Sequence, residues 1–168
     1  MTNPVFEKIA IIGAGLIGAS IARATRAYGA AETVSLYDAD LDVRQRAAAI
    51  DLGKIADDLA TAVADADCVI LCVPVGALKT VAAETVPLMK AGATLTDVGS
   101  VKGQAADALA AAADGRVHII PGHPIAGTEQ SGPEAGFETL FRNAWHILTP
   151  LKVDGEEYAE AVSRLESF

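Results

Sequence analysis

The densest group of residues able to do chemistry lies in one loop, His123-Pro124-Ile125-Ala126-Gly127-Thr128-Glu129. The loop follows a short apolar run, residues 117–120, which predicts a buried strand. A long loop inside a compact domain is more often functional than a plain connection. Histidine in general titrates near neutral pH, so it can take a proton from a substrate hydroxyl. His123 is therefore the leading candidate for a general base; the alternative is a histidine that only packs within the loop.

A second group follows another predicted strand, in the segment Asp97-Val98-Gly99-Ser100-Val101-Lys102. Ser100 is placed to cap a predicted helix over residues 101–113, and its hydroxyl could also contact a bound ligand. Lys102 is either a source of local positive charge for an anionic substrate or a solvated lysine of the first helical turn. Glu129, in the long loop, is either an ion-pairing residue at the mouth of a pocket or simply exposed.

The remaining candidate ligands favour structural roles. His118 and His146 lie within apolar runs that predict strands. Cys68 and Cys72 would face the same side of a strand about 13 Å apart, which is too far for a disulfide. We expect both cysteines to be small buried core residues, and we expect no metal site.

The elements that position these residues alternate between strand and helix along the chain. Alternation at this spacing predicts an α/β domain with a parallel sheet covered by helices on both faces. Six strands in this order fit the Rossmann-type, doubly wound fold with a mainly parallel six-stranded sheet. The predicted strands are residues 8–12, 33–37, 67–73, 94–98, 117–120 and 144–148, and a helix over residues 155–168 ends the chain.

A glycine fingerprint, Gly13-Ala14-Gly15-Leu16-Ile17-Gly18, stands between the first predicted strand and the first helix. In this context Gly13 allows a tight turn, Gly15 lets the backbone approach a pyrophosphate, and Gly18 lets the helix pack closely on the sheet. The N–H groups of the first helical turn, which includes Leu16 and Ile17, would face the phosphates. We predict a dinucleotide site here, against the alternative of a glycine turn without a ligand.

Asp38, at the end of the second predicted strand, indicates which dinucleotide is bound. Its carboxylate can accept hydrogen bonds from ribose hydroxyls and would repel a 2′-phosphate, which predicts NAD rather than NADP. We expect Arg44 and Arg46 to lie on a solvated helix face. Val73 and Pro74 end the third strand at the same edge of the sheet, where they either border the adenosine or begin a helix.

Composition narrows the class of protein further. The 168 residues carry a net charge of −9, without a basic patch for nucleic acid. No apolar stretch is long enough to span a membrane, and the amino terminus shows no signal peptide. We therefore expect a cytoplasmic protein that binds a small molecule.

Three motifs together resemble the prephenate/arogenate (cyclohexadienyl) dehydrogenase family. The resemblance implies NAD-dependent oxidative decarboxylation of prephenate or arogenate in tyrosine biosynthesis. It also implies that His123 bonds the ring hydroxyl, that Ser100 helps to position the substrate, and that Glu129 is an acidic gating residue. The alternatives are another NAD-dependent dehydrogenase, of β-hydroxyacids or imines, and a non-catalytic NAD-binding module. The motifs are residues 13–20, residues 97–102, and residues 123–129 followed by Gly132, Ala135, Leu140 and Phe141.

The resemblance reaches only the first half of the family's members. These continue into a helical domain that forms the homodimer and supplies an arginine to the substrate carboxylate. We therefore expect residues 1–153 to be the NAD-binding domain. Residues 154–168 are expected to form a helix that leads toward the dimerisation domain, which is absent from this chain.

Overall fold

A six-stranded parallel sheet forms the centre of the computed structural model, which describes residues 3–151 and 155–168. Its strand order is β3-β2-β1-β4-β5-β6, so the chain starts in the middle and winds outward in both directions. This is the order of the Rossmann-type doubly wound fold, as predicted. The strands are β1 Phe6–Ile12, β2 Ala31–Tyr37, β3 Lys54–Ile55, β4 Cys68–Leu71, β5 Thr94–Asp97 and β6 His118–Ile119.

Helices cover both faces of this sheet. Along β1, Ile9 and Ile11 pack into one core and Ala10 and Ile12 into the other, because successive strand side chains point to opposite faces. Helices α1, α2 and α6 close the first core, and α3, α4 and α5 close the second. The helices are α1 Leu16–Tyr28, α2 Leu41–Ala49, α3 Leu59–Val63, α4 Leu78–Thr85, α5 Lys102–Ala111 and α6 Glu156–Ser167.

The predicted sixth strand, residues 144–148, is wrong as a member of the parallel sheet. Within it, β8 His146–Leu148 pairs antiparallel with β7 Gly122–Pro124 to form a separate two-stranded ribbon. The sixth strand of the main sheet is instead β3, which pairs with β2 through Ser35 and Leu36. The ribbon continues directly from β6, so the candidate base His123 lies in regular structure.

Helix α6 packs on the six-stranded sheet, on the same face as α1 and α2. Tyr158, Ala161 and Leu165 are buried in the first core. The Tyr158 hydroxyl donates to the carbonyl oxygen of Ile119 at 2.8 Å, which ties the helix to β6. The predicted boundary at residues 153 and 154 lies outside the described residues.

Candidate functional site

The glycine loop at the amino end of α1 has the geometry that its sequence predicts. Gly13 has φ of +106°, and a side chain there would also meet the Cys72 carbonyl at the end of β4. A Cβ on Gly18 would come within 3.0 Å of the Gly13 carbonyl oxygen. At Gly15, by contrast, no atom of the described residues, apart from Gly15 and its two chain neighbours, lies within 4 Å of the position of a Cβ. Close contacts within the protein therefore require glycine at positions 13 and 18, whereas Gly15 faces open space.

The amino end of α1 can accept an anionic group. Gly15 is the N-cap, and no side chain accepts a hydrogen bond from the first turn. That turn also carries no acidic residue. The first N–H groups of a helix have no partner within the helix, and the helix dipole places partial positive charge there. Leu16, Ile17 and the open space at Gly15 thus fit a phosphate-bearing ligand.

Asp38 holds the glycine loop against the end of β2. Its Oδ2 accepts a hydrogen bond from the Ala14 N–H at 2.8 Å, and its Oδ1 accepts from the Asp40 N–H at 3.0 Å. The residue is half-buried, and each carboxylate oxygen retains a further lone pair. Asp38 therefore has both a structural contact and the capacity to accept from a ribose hydroxyl.

The prediction that Arg44 and Arg46 lie on a solvated helix face is confirmed only in part: the Arg46 side chain is 42% exposed, but both arginines also bind other parts of the protein. Arg44 lies over the Tyr37 ring, 5.3 Å from its centroid, and donates to the Asp38 carbonyl oxygen at 2.6 Å. Arg46 pairs with Glu134 of the long loop, with Nε to Oε1 at 2.8 Å and Nη2 to Oε2 at 2.5 Å. Both guanidinium groups thus bind protein acceptors.

Val73 and Pro74 follow β4 at the same edge of the sheet as the glycine loop. Pro74 is the N-cap of a 3₁₀ turn at Val75–Ala77, which leads into α4. Pro74 is exposed and Val73 is half-buried. The helix-start interpretation of Pro74 is therefore confirmed, and its exposure leaves the adenosine interpretation open as well.

Asp97, at the end of β5, is the best connected side chain of the site. It is 0% exposed, and its Oδ2 accepts from the Gly99 N–H at 2.8 Å. Its Oδ1 accepts from the Gly122 N–H at 3.2 Å. The Lys102 ammonium donates to both carboxylate oxygens, at 2.8 and 2.7 Å. One buried carboxylate therefore organises the turn after β5 and joins it to the start of the ribbon.

Lys102 is not a solvated lysine, because its side chain is only 18% exposed. Besides the Asp97 carboxylate, its ammonium donates to the Gly122 carbonyl oxygen at 2.6 Å. An ammonium group has three N–H donors, and these contacts engage all of them. A bond from Lys102 to a substrate would require one of these contacts to be given up.

Ser100 is exposed at the mouth of the β5–α5 turn. Its predicted capping role is wrong, because α5 begins one residue later than expected. Val101 is the N-cap, and no side-chain cap hydrogen bond is present. Ser100 is thus free of the structural role that competed with a ligand contact.

His123 lies at the centre of the ribbon, where it is half-buried and pairs with Ile147. His146, predicted to be structural, lies on the partner strand with its Nε2 within 2.7 Å of the point where a Gly122 Cβ would stand. The pKa of His146 is lowered, chiefly because the surrounding protein displaces water and then because the Lys102 ammonium is close. The ribbon therefore holds the His146 imidazole close to the Asp97–Lys102 pair, and His123 directly follows Gly122, whose backbone this pair binds.

Two contacts pin the long loop after the ribbon, one on α1 and one on α2. The Phe137 N–H donates to the buried Ser20 hydroxyl at 3.1 Å. Glu134 binds Arg46 on α2. Glu129, between the ribbon and these anchors, is exposed. The loop thus spans from the end of β6 back to the helix that follows Asp38, along the edge where the glycine loop lies.

A cavity of about 660 Å³ lies between α1, α6 and the ribbon, and it adjoins this edge, since Asp97, Pro124 and His146 are among its lining residues. Its walls are mainly apolar, with Ile21, Phe141 and Leu165 among them. Neither Ser100 nor His123 lines it. The candidate site is therefore the open groove along the carboxyl edge of the sheet, which is where doubly wound folds bind ligands.

Two negative findings concern the described part of the chain. Across residues 3–151 and 155–168, no helix is long and apolar enough to cross a membrane. In the same residues no group of three or more His, Cys, Asp and Glu side chains is arranged to hold a metal ion. Cys68 is buried, Cys72 is half-buried, and both are free thiols.

Sequence reasoning missed the roles of Asp97 and of the Arg46–Glu134 pair. The sequence signal for the first was a carboxylate near the end of a predicted strand, five residues before a lysine. The partners Arg46 and Glu134 are 88 residues apart, so no local pattern indicates their pairing.

The fold, the glycine loop and the open amino end of α1 together define a Rossmann-type nucleotide-binding domain. Comparison with protein families is more specific: residues 21–167 match the model described as "Prephenate dehydrogenase, nucleotide-binding domain". The chain belongs to this family. The match confirms the resemblance that the three motifs predict.

Individual relatives agree with this assignment. A cyclohexadienyl dehydrogenase of Zymomonas mobilis is 47% identical over 98% of this chain and 55% of its own length. The arogenate dehydrogenase of Synechocystis is 32% identical, with a TM-score of 0.82 over 95% of this chain and 56% of that one. A prephenate dehydrogenase of Aquifex aeolicus, solved with hydroxyphenyl propionate and NAD+, is 28% identical with a TM-score of 0.83 over 96% of this chain and 56% of that one. The chain thus spans little more than half the length of these relatives.

Proposed function

We propose that this chain binds NAD along the carboxyl edge of its sheet. The observation that carries the proposal is the open space at Gly15, directly over the uncapped amino end of α1. Gly13, Leu16, Ile17 and Gly18 would surround the pyrophosphate. The Aquifex aeolicus relative, which is similar in structure, was solved with NAD+.

The preference for NAD over NADP rests on Asp38 and on the arginines near it. The Asp38 carboxylate is half-exposed and carries the charge that would repel a 2′-phosphate. Arg44 donates to the carbonyl oxygens of Asp38 and Ala39. Val73 and Pro74 would border the adenosine from β4. Calorimetric titration of the chain with each dinucleotide tests this, and tighter binding of NADP would contradict it.

We propose further that the chain is the cofactor domain of an enzyme that oxidatively decarboxylates prephenate or arogenate. The activities by which the three relatives are named support this reaction class. Bound NAD would supply the hydride acceptor. His123 would take the proton of the ring hydroxyl as the C–H bond of that carbon breaks. Loss of carbon dioxide would then leave an aromatic phenolate, which takes the proton back, while the electron pair of the C–H bond goes to NAD.

The other site residues have roles at the same groove. Ser100 is exposed at the end of β5, where its hydroxyl could contact the nicotinamide or the substrate. Glu129 is exposed in the loop that leaves the ribbon and would act on substrate entry. A substrate contact by Lys102, which the sequence suggests, has to compete with its bonds to Asp97 and Gly122.

We propose a cytoplasmic enzyme whose partner, besides the small-molecule substrate, is a second copy of itself. The support is the family and the length of the relatives, of which this chain matches 55% in the Zymomonas mobilis case. The homodimer is proposed for a protein of the length of these relatives. Light scattering on such a protein tests it, and a monomer at micromolar concentration would contradict it.

The direct test of the reaction uses two proteins. One is this chain, and the other is this chain joined to the part of the Zymomonas mobilis relative that lies outside the match. Each is mixed with NAD and with prephenate or arogenate while NADH absorbance is followed. NADH formation by the joined protein is expected. NAD binding without NADH from either substrate would instead favour a non-catalytic NAD-binding module.

A further inference from the structure

We propose that Asp97 is a positioning residue, which with Lys102 fixes the backbone of Gly122 and thereby the place of His123. The inference rests on the proposed function, in which His123 is the base. Asp97 would touch neither the substrate nor the cofactor, but it would determine the position of His123. Lys102 would have a structural role as well, because it binds both Asp97 and Gly122.

The first observation is the full burial of a charged group at the end of β5. The Asp97 carboxylate is 0% exposed, and such a group is stable only when it is paired and hydrogen-bonded. The ion pair with Lys102, at 2.7 Å, and the N–H groups of Gly99 and Gly122 meet that need. The carboxylate is therefore rigidly held, and it holds the groups around it in turn.

The second observation is that Gly122 is bound through both of its backbone polar groups. Its N–H donates to Asp97 Oδ1 at 3.2 Å, and its carbonyl oxygen accepts from Lys102 Nζ at 2.6 Å. The Asp97–Lys102 ion pair thus binds both the N–H and the carbonyl group of Gly122. His123 is the next residue in the chain, so a shift of Gly122 moves the imidazole directly.

The third observation is that Gly122 has no room to move toward the sheet. The position of its Cβ would be 2.7 Å from His146 Nε2 and 3.0 Å from both the Asp97 carbonyl oxygen and Thr96 Oγ1. On the other side, pairing of Gly122 with Leu148 and of His123 with Ile147 holds the ribbon. The segment is therefore fixed by charge, by packing and by strand pairing together.

These contacts predict how a variant would fail. Asp97→Asn keeps the size of the side chain but removes its charge and replaces one acceptor oxygen by an NH₂ group. Lys102 and Gly122 then lose part of their interaction with the Asp97 carboxylate, and His123 shifts relative to the substrate. A displacement of about 1 Å can cost about 100-fold in rate, so we expect kcat to fall about 10- to 100-fold. The KM values and the affinity for NAD should stay close to those of the unchanged protein.

The chain offers a matched control at the opposite edge of the sheet. Asp67 likewise accepts from two backbone N–H groups, of Glu7 and Lys8, and pairs with Lys90 at 2.7 Å. Asp67→Asn therefore makes a chemically equal change far from His123. A general loss of stability would appear in both variants, whereas displacement of His123 should appear only with Asp97→Asn.

The experiment has one arm that needs no turnover. Nuclear magnetic resonance of this chain reports the ring signals of its histidines, and His123→Asn assigns the signal of His123. We expect Asp97→Asn to change the ring shifts of His123 and to speed hydrogen exchange at the Gly122 amide. Asp67→Asn should leave both unchanged. Unchanged His123 signals in Asp97→Asn would overturn the proposal.

A second variant keeps the test decisive if Asp97→Asn does not fold. Lys102→Arg retains the positive charge beside Asp97 but reaches the Gly122 carbonyl with a different geometry, so it should also shift the His123 signals. In the joined protein, Lys102→Arg should lower kcat with KM for the substrate unchanged. A raised KM at unchanged kcat would show a substrate contact instead and overturn the positioning role. Absence of turnover in the unmodified joined protein would count against the proposed function and leave the resonance arm to decide on Asp97.

Discussion

Replacing Gly15 by alanine tests the effect on ligand binding separately from the effect on folding. Gly15 is the N-cap of α1 with φ of −72° and ψ of −168°, a conformation that alanine adopts without strain. In the part of the chain that the structure describes, the new Cβ would have only its own chain neighbours within 4 Å. Gly15→Ala should therefore fold normally, while its methyl group enters the space assigned to the pyrophosphate.

The expected magnitudes follow from these contacts. Alanine stiffens the unfolded chain, which stabilises by about 0.4–1 kcal/mol, and it is a poorer N-cap than glycine by a similar amount. The two effects offset, so the net change in the free energy of unfolding should be below about 1 kcal/mol. Crowding the ligand by one methyl group should cost about 1–3 kcal/mol of binding, or about 5- to 150-fold in Kd for NAD.

Gly18→Ala is the informative contrast. Its Cβ would come within 3.0 Å of the Gly13 carbonyl oxygen and 3.2 Å from Ile11 Cγ2, so backbone has to move. We expect a loss of about 1–3 kcal/mol in the free energy of unfolding. Gly103→Ala, in α5, is the control, because nothing lies within 4 Å of its Cβ. It should stabilise the fold by up to about 1 kcal/mol and leave NAD affinity unchanged.

Urea unfolding followed by circular dichroism gives the stabilities of the three variants, and calorimetric titration gives their Kd for NAD. We expect Gly15→Ala to lose affinity for NAD while it folds normally, and Gly18→Ala to lose stability. If Gly15→Ala bound NAD as tightly as the unchanged chain, the nucleotide would not lie over the amino end of α1.

Three other predictions concern pH, reactivity and the long loop. Because the pKa of His146 is lowered in the fold, the unfolded chain binds the proton more tightly, so stability should fall as pH drops below about 6.5. His146→Gln should flatten that dependence in thermal melts, and an equal slope would refute this origin. Burial raises the pKa of the Cys68 thiol to about 12, and burial and then the Asp97 carboxylate raise that of Cys72, so iodoacetamide at pH ~8 should label neither thiol before unfolding. Rapid labelling of the native chain would contradict this. Glu134→Gln removes the ion pair with Arg46 and should speed protease cleavage within residues 125–132; a rate equal to that of the unchanged chain would show that this pair does not hold the loop.

The fold was largely predictable because its central strands are buried on both faces. β4 is a continuous apolar run, β1 ends in one over residues 9–12, and the glycine loop marks the first crossover. β3 has only two residues, Lys54 and Ile55, which is too short for any periodic pattern. β8 contains the exposed Ile147, and its sequence carries no signal for antiparallel pairing with the strand of His123.

The sequence predicted which residues belong to the candidate site, but not the contacts between them. The motif around Ser100 and the loop of His123 indicate chemistry by residue type alone. The contact between Asp97 and Gly122 joins residues 25 apart and appears only when β5 and the ribbon meet. Ser100 was assigned as a cap because the helix start was placed one residue early, and helix ends are commonly uncertain by one or two residues.

The central claim is that His123 is the base of an NAD-dependent dehydrogenase. The most direct measurement is the rate of NADH formation by the joined protein with prephenate or arogenate, for the unchanged sequence and for His123→Asn. The account predicts a loss of about 10²-fold to 10⁴-fold in kcat, with NAD binding retained. Turnover that survives His123→Asn with little loss would contradict it.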